Sequence, residues 1–119
     1  MTIKVGINGF GRIGRLALRA AFDWDGIEFV QINDPAANAD TLAHLLNFDS
    51  VQGTWQHEAM SEDNVIHING KHIICSQNKS IAETDWSSCD VVIEASGKMK
   101  SKAILQDYLK QGVKRVVVT

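Results

Sequence analysis

The chain begins with short apolar runs on either side of a longer amphipathic stretch. Residues 3–7 alternate between apolar and small or polar positions, which predicts a β-strand. From Gly11 onward, apolar residues recur at spacings of three and four, which predicts a helix that lies on a sheet and ends near Asp25. The β-branched and apolar run over 27–33 predicts a second strand. This part of the chain is therefore one βαβ unit.

The middle of the chain predicts a helix and then a hairpin. Asn38 is a suitable N-cap for a second helix, and a loop is expected over 48–53. Two apolar runs, 65–68 and 71–75, flank Asn69-Gly70. Both residues of this pair tolerate positive φ, as a type I′ turn requires. The pattern therefore predicts a two-residue β-hairpin inserted at the side of the sheet.

The last third returns to alternating strand and helix. The apolar run over 90–95 predicts a strand buried on both faces of a parallel sheet, followed by a ligand loop at Ser96-Gly97. Ser101 is expected to cap a helix that Gly112 ends, and 116–119 predicts another buried strand. Because a buried parallel strand usually leads into a further crossover, we expect a domain that is incomplete at its C-terminus. A complete minimal sheet is the alternative.

Composition is that of one globular domain. The 119 residues are 45% hydrophobic and 22% charged, with a single proline. No apolar stretch reaches membrane-spanning length and the first residues lack a signal-peptide pattern, so we expect a cytoplasmic protein with no membrane partner. Cys75 and Cys89 lie outside any CxxC pattern and are expected to be inert thiols.

Charge is distributed unevenly along the chain. Residues 20–70 contain nine acids and no lysine or arginine, whereas both flanking segments are basic, for a net charge of −2. Proteins that bind nucleic acids usually carry a basic stripe and have a high pI, whereas the pI here is about 6.0. The charge pattern therefore predicts no nucleic-acid partner. RNA binding, if present, would show as strongly salt-dependent retention on oligonucleotides.

A glycine-rich turn carries the most specific chemical signal. Gly9, Gly11 and Gly14 form G-x-G-x-x-G between the first strand and the first helix, and Asp34 follows at the end of the second strand. The three glycines suit a tight turn, close approach of a pyrophosphate, and helix packing. The helix N-terminus attracts anions, and Asp34 can accept hydrogen bonds from ribose hydroxyls. Because Asp34 would repel a 2′-phosphate, the pattern favours NAD over NADP.

Residues 6–15, GINGFGRIGR, strongly resemble the N-terminal signature of phosphorylating glyceraldehyde-3-phosphate dehydrogenases. Further segments match that family's NAD domain in order and spacing, among them Ile32 to Pro35, Phe48 to Gly53, Ile68 to Lys71 and Ile93 to Gly97. The resemblance implies an α/β, Rossmann-type doubly wound, mainly parallel sheet that binds NAD. The segment 78–81, NKSI, departs from the family's usual acid, base, Asp, Pro run.

The resemblance also implies which residues bind NAD. The backbone of Arg12 and Ile13 would meet the pyrophosphate, Asp34 would hold the adenosine ribose, and Lys79 would lie beside the adenine. The candidate cofactor-binding residues are Asn8, Gly9, Phe10, Gly11, Arg12, Ile13, Gly14, Asn33, Asp34, Lys79, Ser96 and Gly97.

In this family a cysteine thiolate attacks the aldehyde and a histidine acts as base. Neither Cys75 nor Cys89 lies in the family's Ser-Cys-Thr-Thr-Asn context, so we expect no catalytic residue in this chain and no turnover by it alone. The intact enzyme is implied to be a homo-oligomer that oxidises a small phosphorylated aldehyde. Glyceraldehyde 3-phosphate, erythrose 4-phosphate and an arsenate-linked role all remain open.

Two other possibilities follow from the residues themselves. The chain could be a self-standing dinucleotide-binding or interaction module without chemistry. In the predicted hairpin His67 faces His72, which is more typical of a solvated cross-strand pair than of a metal site, and we expect no bound metal.

Overall fold

A computed structural model of the chain describes residues 2–49, 53–55, 57–97 and 102–119. The strands are β1 (Ile3–Asn8), β2 (Ile27–Asn33), β3 (Phe48–Asp49), β4 (Gly53–Thr54), β5 (Ala59–Glu62), β6 (Val65–Ile68), β7 (Lys71–Ser76), β8 (Val91–Glu94) and β9 (Arg115–Val118). The helices are α1 (Arg12–Ala21), α2 (Ala39–Asn47) and α3 (Lys102–Lys110), with a short 3-10 helix at Ile81–Glu83.

Seven of these strands form one sheet in the order β5-β6-β7-β2-β1-β8-β9. The five strands from β7 to β9 in this order run parallel, and β5 and β6 pair antiparallel at one edge. From β1 the chain moves outward through β2 to β7 and then returns to the other side of β1 as β8. This reversal confirms the predicted doubly wound α/β fold, in which ligands bind where the strand order reverses, at the carboxyl ends of the strands.

Local predictions about turns and caps are confirmed. Asn69 and Gly70 have φ of 52° and 81°, as a type I′ turn requires. The Asn38 side chain accepts a hydrogen bond from Thr41 N at 3.0 Å and caps α2. Gly112, with φ of 97°, follows α3. The predicted cap at Ser101 lies outside the described residues.

The predicted hairpin lies at one side of the sheet, where β6 pairs antiparallel with β7 and β7 pairs parallel with β2. Two other predictions about strands need correction. The segment predicted as a loop over 48–53 includes β3 and the start of β4, which pair antiparallel. The strand at 116–119 was predicted to be buried, yet Val117 and Val118 of β9 are 50% and 42% exposed. A run of valines predicts a strand, but its burial depends on which elements cover it.

The described residues form a hydrophobic cluster on each face of the sheet. On one face, α1 and α2 pack against β1 and β2, and on the other face Trp86 and α3 pack against β8. Val92 belongs to the second cluster while its neighbours Val91 and Ile93 pack against the first, because successive strand residues point to opposite faces. Within the described part of the chain, no helix combines the length and apolar character needed to cross a bilayer.

Candidate functional site

The loop between β1 and α1 depends on two glycines that have no room for a side chain. Gly9 has φ of 91°, and a Cβ there would lie 2.5 Å from the backbone N of Ser96. A Cβ at Gly14 would lie 2.6 Å from the carbonyl oxygen of Gly9. Such distances exclude any larger residue unless the backbone moves. The structure therefore confirms the tight turn predicted at Gly9 and the close helix packing predicted at Gly14.

Gly11 differs from these two glycines because it faces open space. Apart from Gly11 itself and its two chain neighbours, no described atom lies within 4 Å of where its Cβ would be, and its φ of −78° is accessible to any residue. Gly11 is also the N-cap of α1 and has no side chain with which to cap the helix. The N–H groups at the start of α1 are therefore left for a ligand, and the backbones of Arg12 and Ile13 lie in this first turn.

Asp34 joins the glycine loop to the end of β2. Its Oδ2 accepts a hydrogen bond from Phe10 N at 2.8 Å, and its Oδ1 accepts one from Ala36 N at 2.8 Å. These bonds fix the carboxylate with respect to the loop. An ionised carboxylate has about four acceptor positions, so each oxygen can also accept a ligand hydroxyl.

A cleft of about 210 Å³ lies at the carboxyl ends of β1, β2 and β8. It is lined by Gly9, Gly11, Asp34, Pro35, Ala36, Ala95 and Ser96. The fold thus brings together four predicted site residues, namely Gly9, Gly11, Asp34 and Ser96. Pro35, Ala36 and Ala95 were missed by the sequence analysis, because small residues next to a functional one give no chemical signal of their own.

Asn8 and Asn33 lie beneath this cleft rather than on its surface. Both side chains are buried, and Asn33 Nδ2 donates to Asn8 Oδ1 at 2.9 Å. Asn33 Oδ1 accepts hydrogen bonds from Ser76 Oγ and Asn78 N at 2.6 and 2.9 Å. The ring of Phe10 is also buried, although its N–H reaches Asp34. These three predicted residues therefore hold the ends of β1, β2 and β7 in register.

The remaining predicted residues lie at the margins of the site. Lys79 is exposed on the segment that follows β7, at the same sheet edge as Asp34 but outside the cleft lining. Gly97 is exposed, with φ of 77°, on the loop after β8.

Neither cysteine has the properties of a nucleophile. Both are free and buried. Burial raises the pKa of Cys75 to about 12 and that of Cys89 to about 11. Since the thiolate is the reactive form, both thiols are unreactive near neutral pH.

The two histidines of the hairpin form the expected cross-strand pair. His67 and His72 are directly opposite in register, and their ring centroids are 4.4 Å apart. His67 Nε2 is also 3.9 Å from Glu62 Oε2. Within the described ranges, no group of three His, Cys, Asp or Glu side chains could hold a metal ion.

Three features make the cleft suitable for a dinucleotide. The open space at Gly11 admits a bulky group, the uncapped start of α1 favours an anion, and Asp34 presents acceptors for hydroxyls. A pyrophosphate between two riboses has this combination of charge and hydrogen-bonding groups. NAD therefore fits the residues that are present.

Known proteins resemble the chain over its whole length. A family model described as glyceraldehyde 3-phosphate dehydrogenase, NAD binding domain, matches residues 3–102. Glyceraldehyde-3-phosphate dehydrogenase 3 of Nostoc sp. (strain PCC 7120) is 46% identical over 99% of this chain. Glyceraldehyde-3-phosphate dehydrogenase 1 of Candida glabrata is 40% identical over 98%, and the enzyme of Heyndrickxia coagulans is 42% identical over 100%. The chain spans 36% of the length of each of these three relatives.

Proposed function

Since this chain belongs to the glyceraldehyde 3-phosphate dehydrogenase family and matches its NAD-binding domain over residues 3–102, we propose that the loop from Gly9 to Gly14 and Asp34 hold its cofactor, NAD. The observation that carries this assignment is the open, uncapped start of α1 directly beside the Asp34 carboxylate. The backbone N–H groups of Arg12 and Ile13 would donate to the pyrophosphate, and Asp34 would accept from the adenosine ribose.

Each group has a separate task in this proposal. When bound, NAD supplies the hydride acceptor of the family's oxidoreductase chemistry. Gly11 leaves room for the phosphates, and the partial positive charge at the start of α1 favours them. Asp34 orients the ribose, and its negative charge disfavours a 2′-phosphate at the same position because like charges repel. Lys79, Ser96 and Gly97 would contact the outer parts of the cofactor.

The Asp34→Ala variant is expected to bind NAD about 10- to 100-fold more weakly than the wild-type chain, as is typical when a hydrogen bond to a charged group is removed. Isothermal calorimetry with NAD and with NADP measures the change. The wild-type chain should bind NAD more tightly than NADP. In Asp34→Asn the dissociation constants for NAD and NADP should be closer to each other, because asparagine removes the negative charge but keeps the side-chain shape. Comparable dissociation constants of wild-type chain for NAD and NADP would contradict the proposal.

Asp25→Ala is a matched control for this experiment. Asp25 is another exposed acid in the acidic segment, and it follows α1 before β2 begins, at the opposite edge of the sheet from the cleft. Its loss changes the net charge as much as the loss of Asp34 does. The NAD dissociation constant of Asp25→Ala should therefore stay within about twofold of wild type, as expected of a distant surface charge.

For the intact protein we propose the phosphorylating oxidation of a small phosphorylated aldehyde, carried out in the cytoplasm by a homo-oligomer. In this proposal residues 1–119 are an NAD-binding domain that is incomplete at its C-terminus, and the catalytic domain lies outside this chain. The match to 36% of the length of the relatives supports that division. Glyceraldehyde 3-phosphate is the substrate named in the family's description. Erythrose 4-phosphate and an arsenate-linked role are the alternatives.

The 119-residue chain alone is expected to show no turnover, because its two cysteines are buried and mainly protonated. The assay follows NADH absorbance with glyceraldehyde 3-phosphate, phosphate and NAD. A boiled sample is the control. NADH formation above the boiled control would contradict the proposal that the catalytic domain lies outside this chain.

A further inference from the structure

Glu94 is a buried acid in a strand whose other residues are apolar. It ends β8, directly before the cleft-lining residues Ala95 and Ser96, and only 1% of its surface is exposed. Burying a carboxylate has a large desolvation cost unless its oxygens are fully hydrogen-bonded. An apolar residue at this position would avoid that cost, so the acid needs an explanation beyond packing.

In the part of the chain that the structure describes, four donors surround this carboxylate. Oε1 accepts from Asn8 Nδ2 at 2.8 Å and from the Tyr108 hydroxyl at 2.5 Å. Oε2 accepts from the backbone N of Ser96 at 3.1 Å and from its hydroxyl at 2.6 Å. About four acceptor positions are available on a carboxylate, and here all of them are used.

These donors come from three separate parts of the fold. Asn8 ends β1 and leads into the glycine loop, Tyr108 belongs to α3, and Ser96 lies on the loop after β8. Asn8 Nδ2 also donates to the Tyr108 hydroxyl at 2.9 Å. Burial is the main cause that raises the pKa of Tyr108, and the hydrogen bond to Glu94 raises it further. The hydroxyl therefore keeps its proton and remains a donor. Glu94 is therefore the point at which the two walls of the cleft are joined.

The wall formed by Ser96 must be held closely in place. Ser96 N lies only 2.5 Å from where a Cβ on Gly9 would be, so its backbone packs directly on the glycine turn. Both Ser96 bonds to Glu94 Oε2 fix this arrangement. The Ser96 hydroxyl therefore donates its proton to the same carboxylate oxygen that accepts from the Ser96 backbone N–H.

We propose that Glu94 is a positioning residue of the dinucleotide site, which holds Ser96 against the glycine loop so that the half of the cofactor beyond the pyrophosphate can bind. This inference rests on the proposed function. In a doubly wound sheet the two halves of a dinucleotide lie on opposite sides of the switch point, and β8 lies on the side away from Asp34. Glu94 should therefore affect the whole dinucleotide but leave its adenosine half unaffected.

Glu94→Gln tests this proposal with little change in shape. Glutamine replaces one carboxylate oxygen, which accepts hydrogen bonds, by an NH₂ group, which donates them. The NH₂ group then faces either Asn8 Nδ2 or Ser96 N. Both of these groups can only donate, so two donors oppose each other. The Tyr108 and Ser96 hydroxyls can rotate to accept, but one pair of opposed donors remains. Calorimetry with NAD and with AMP, on the 119-residue chain, separates the two halves of the cofactor.

Glu94→Gln is expected to weaken NAD binding about tenfold, as one unsatisfied buried donor typically would, while AMP affinity changes less than about twofold. Tyr108→Phe, which removes one donor but keeps the ring, should give a smaller loss for NAD and none for AMP. If Glu94→Gln does not fold, the Tyr108→Phe variant tests the positioning role of Glu94 in its place. Glu62→Gln, at an exposed acid on β5, is the control and should change neither affinity.

The possible outcomes are distinguishable. If wild-type chain does not bind NAD, the proposed function itself fails. If wild-type chain binds NAD and Glu94→Gln binds it equally well, the positioning role is overturned. An equal loss of NAD and AMP affinity, accompanied by a lower Tm, would also overturn it, because that is the result of general destabilisation.

Discussion

Gly9→Ala is expected to lower the free energy of unfolding by about 3 kcal/mol and to abolish NAD binding. A side chain at φ of 91° costs about 1–2 kcal/mol by itself. The new Cβ would also lie 2.5–2.8 Å from backbone atoms of Ala95 and Ser96, which cannot rotate away as a side chain would. Because that backbone forms one wall of the cleft, the strain acts directly on the cofactor site. Urea unfolding and calorimetry with NAD measure the two effects.

Gly11→Ala is the matched comparison two residues further along the same loop. Beyond residue 11 and its two chain neighbours, the added methyl group meets no described atom within 4 Å, and the φ of −78° suits alanine. Stability should therefore change by no more than about 1 kcal/mol, as for alanine at an N-cap position. NAD affinity should still fall, because the methyl group occupies the space proposed for the phosphates. Equal stability of the Gly9 and Gly11 variants would contradict the close contact between Gly9 and Ser96.

Trp86→Ala is expected to cost about 3–5 kcal/mol of stability, as is typical for a fully buried large aromatic residue. Trp86 packs edge-to-face on Tyr108 with ring centroids 5.6 Å apart, and it lies directly against the backbone of Gly6. Its removal leaves a cavity between β1 and α3, so Tyr108 loses the surface that orients it toward Glu94. Thermal and urea unfolding measure the loss of stability.

Trp86→Phe separates packing from polarity in this cluster. The Nε1 of Trp86 is buried and has no hydrogen-bond partner among the described residues. Phenylalanine removes this unsatisfied donor and keeps most of the ring, so its cost should be less than about half that of alanine. A phenylalanine variant as unstable as the alanine variant would show that the indole N–H has a partner in solution.

Elements governed by local rules could be predicted from the sequence. The type I′ turn needs only two adjacent residues that tolerate positive φ, and Asn69-Gly70 provides them. The N-cap at Asn38 depends on a hydrogen bond to a residue three positions away. Pairing between distant strands is different. β5 contains a single buried residue, Ala59, and is a strand because β6 offers it an antiparallel edge.

The candidate site shows the same difference between features set by nearby residues and features set by distant contacts. The glycine spacing and Asp34 were identified in advance because turn geometry and phosphate binding need those residue types at short, fixed distances along the chain. Asn8 and Asn33 were also identified, but as cofactor-binding residues. Only the packed structure shows that their side-chain amides hydrogen-bond to other buried groups beneath the cleft. Glu94 was missed as a functional residue, because the sequence around it has the pattern of a buried strand and that pattern does not show what its carboxylate contacts.

The sequence by itself determined the βαβ unit, the glycine-rich turn and the family, since each depends on residues that are close in the chain or on a pattern shared with relatives. Only the tertiary structure decided that Asn8 and Tyr108, 100 residues apart, meet at one buried carboxylate. It also decided which glycine packs against Ser96 and which faces open space. Such contacts depend on the positions of whole elements, which come from the packing of the two faces of the sheet and cannot be deduced from local residue preferences.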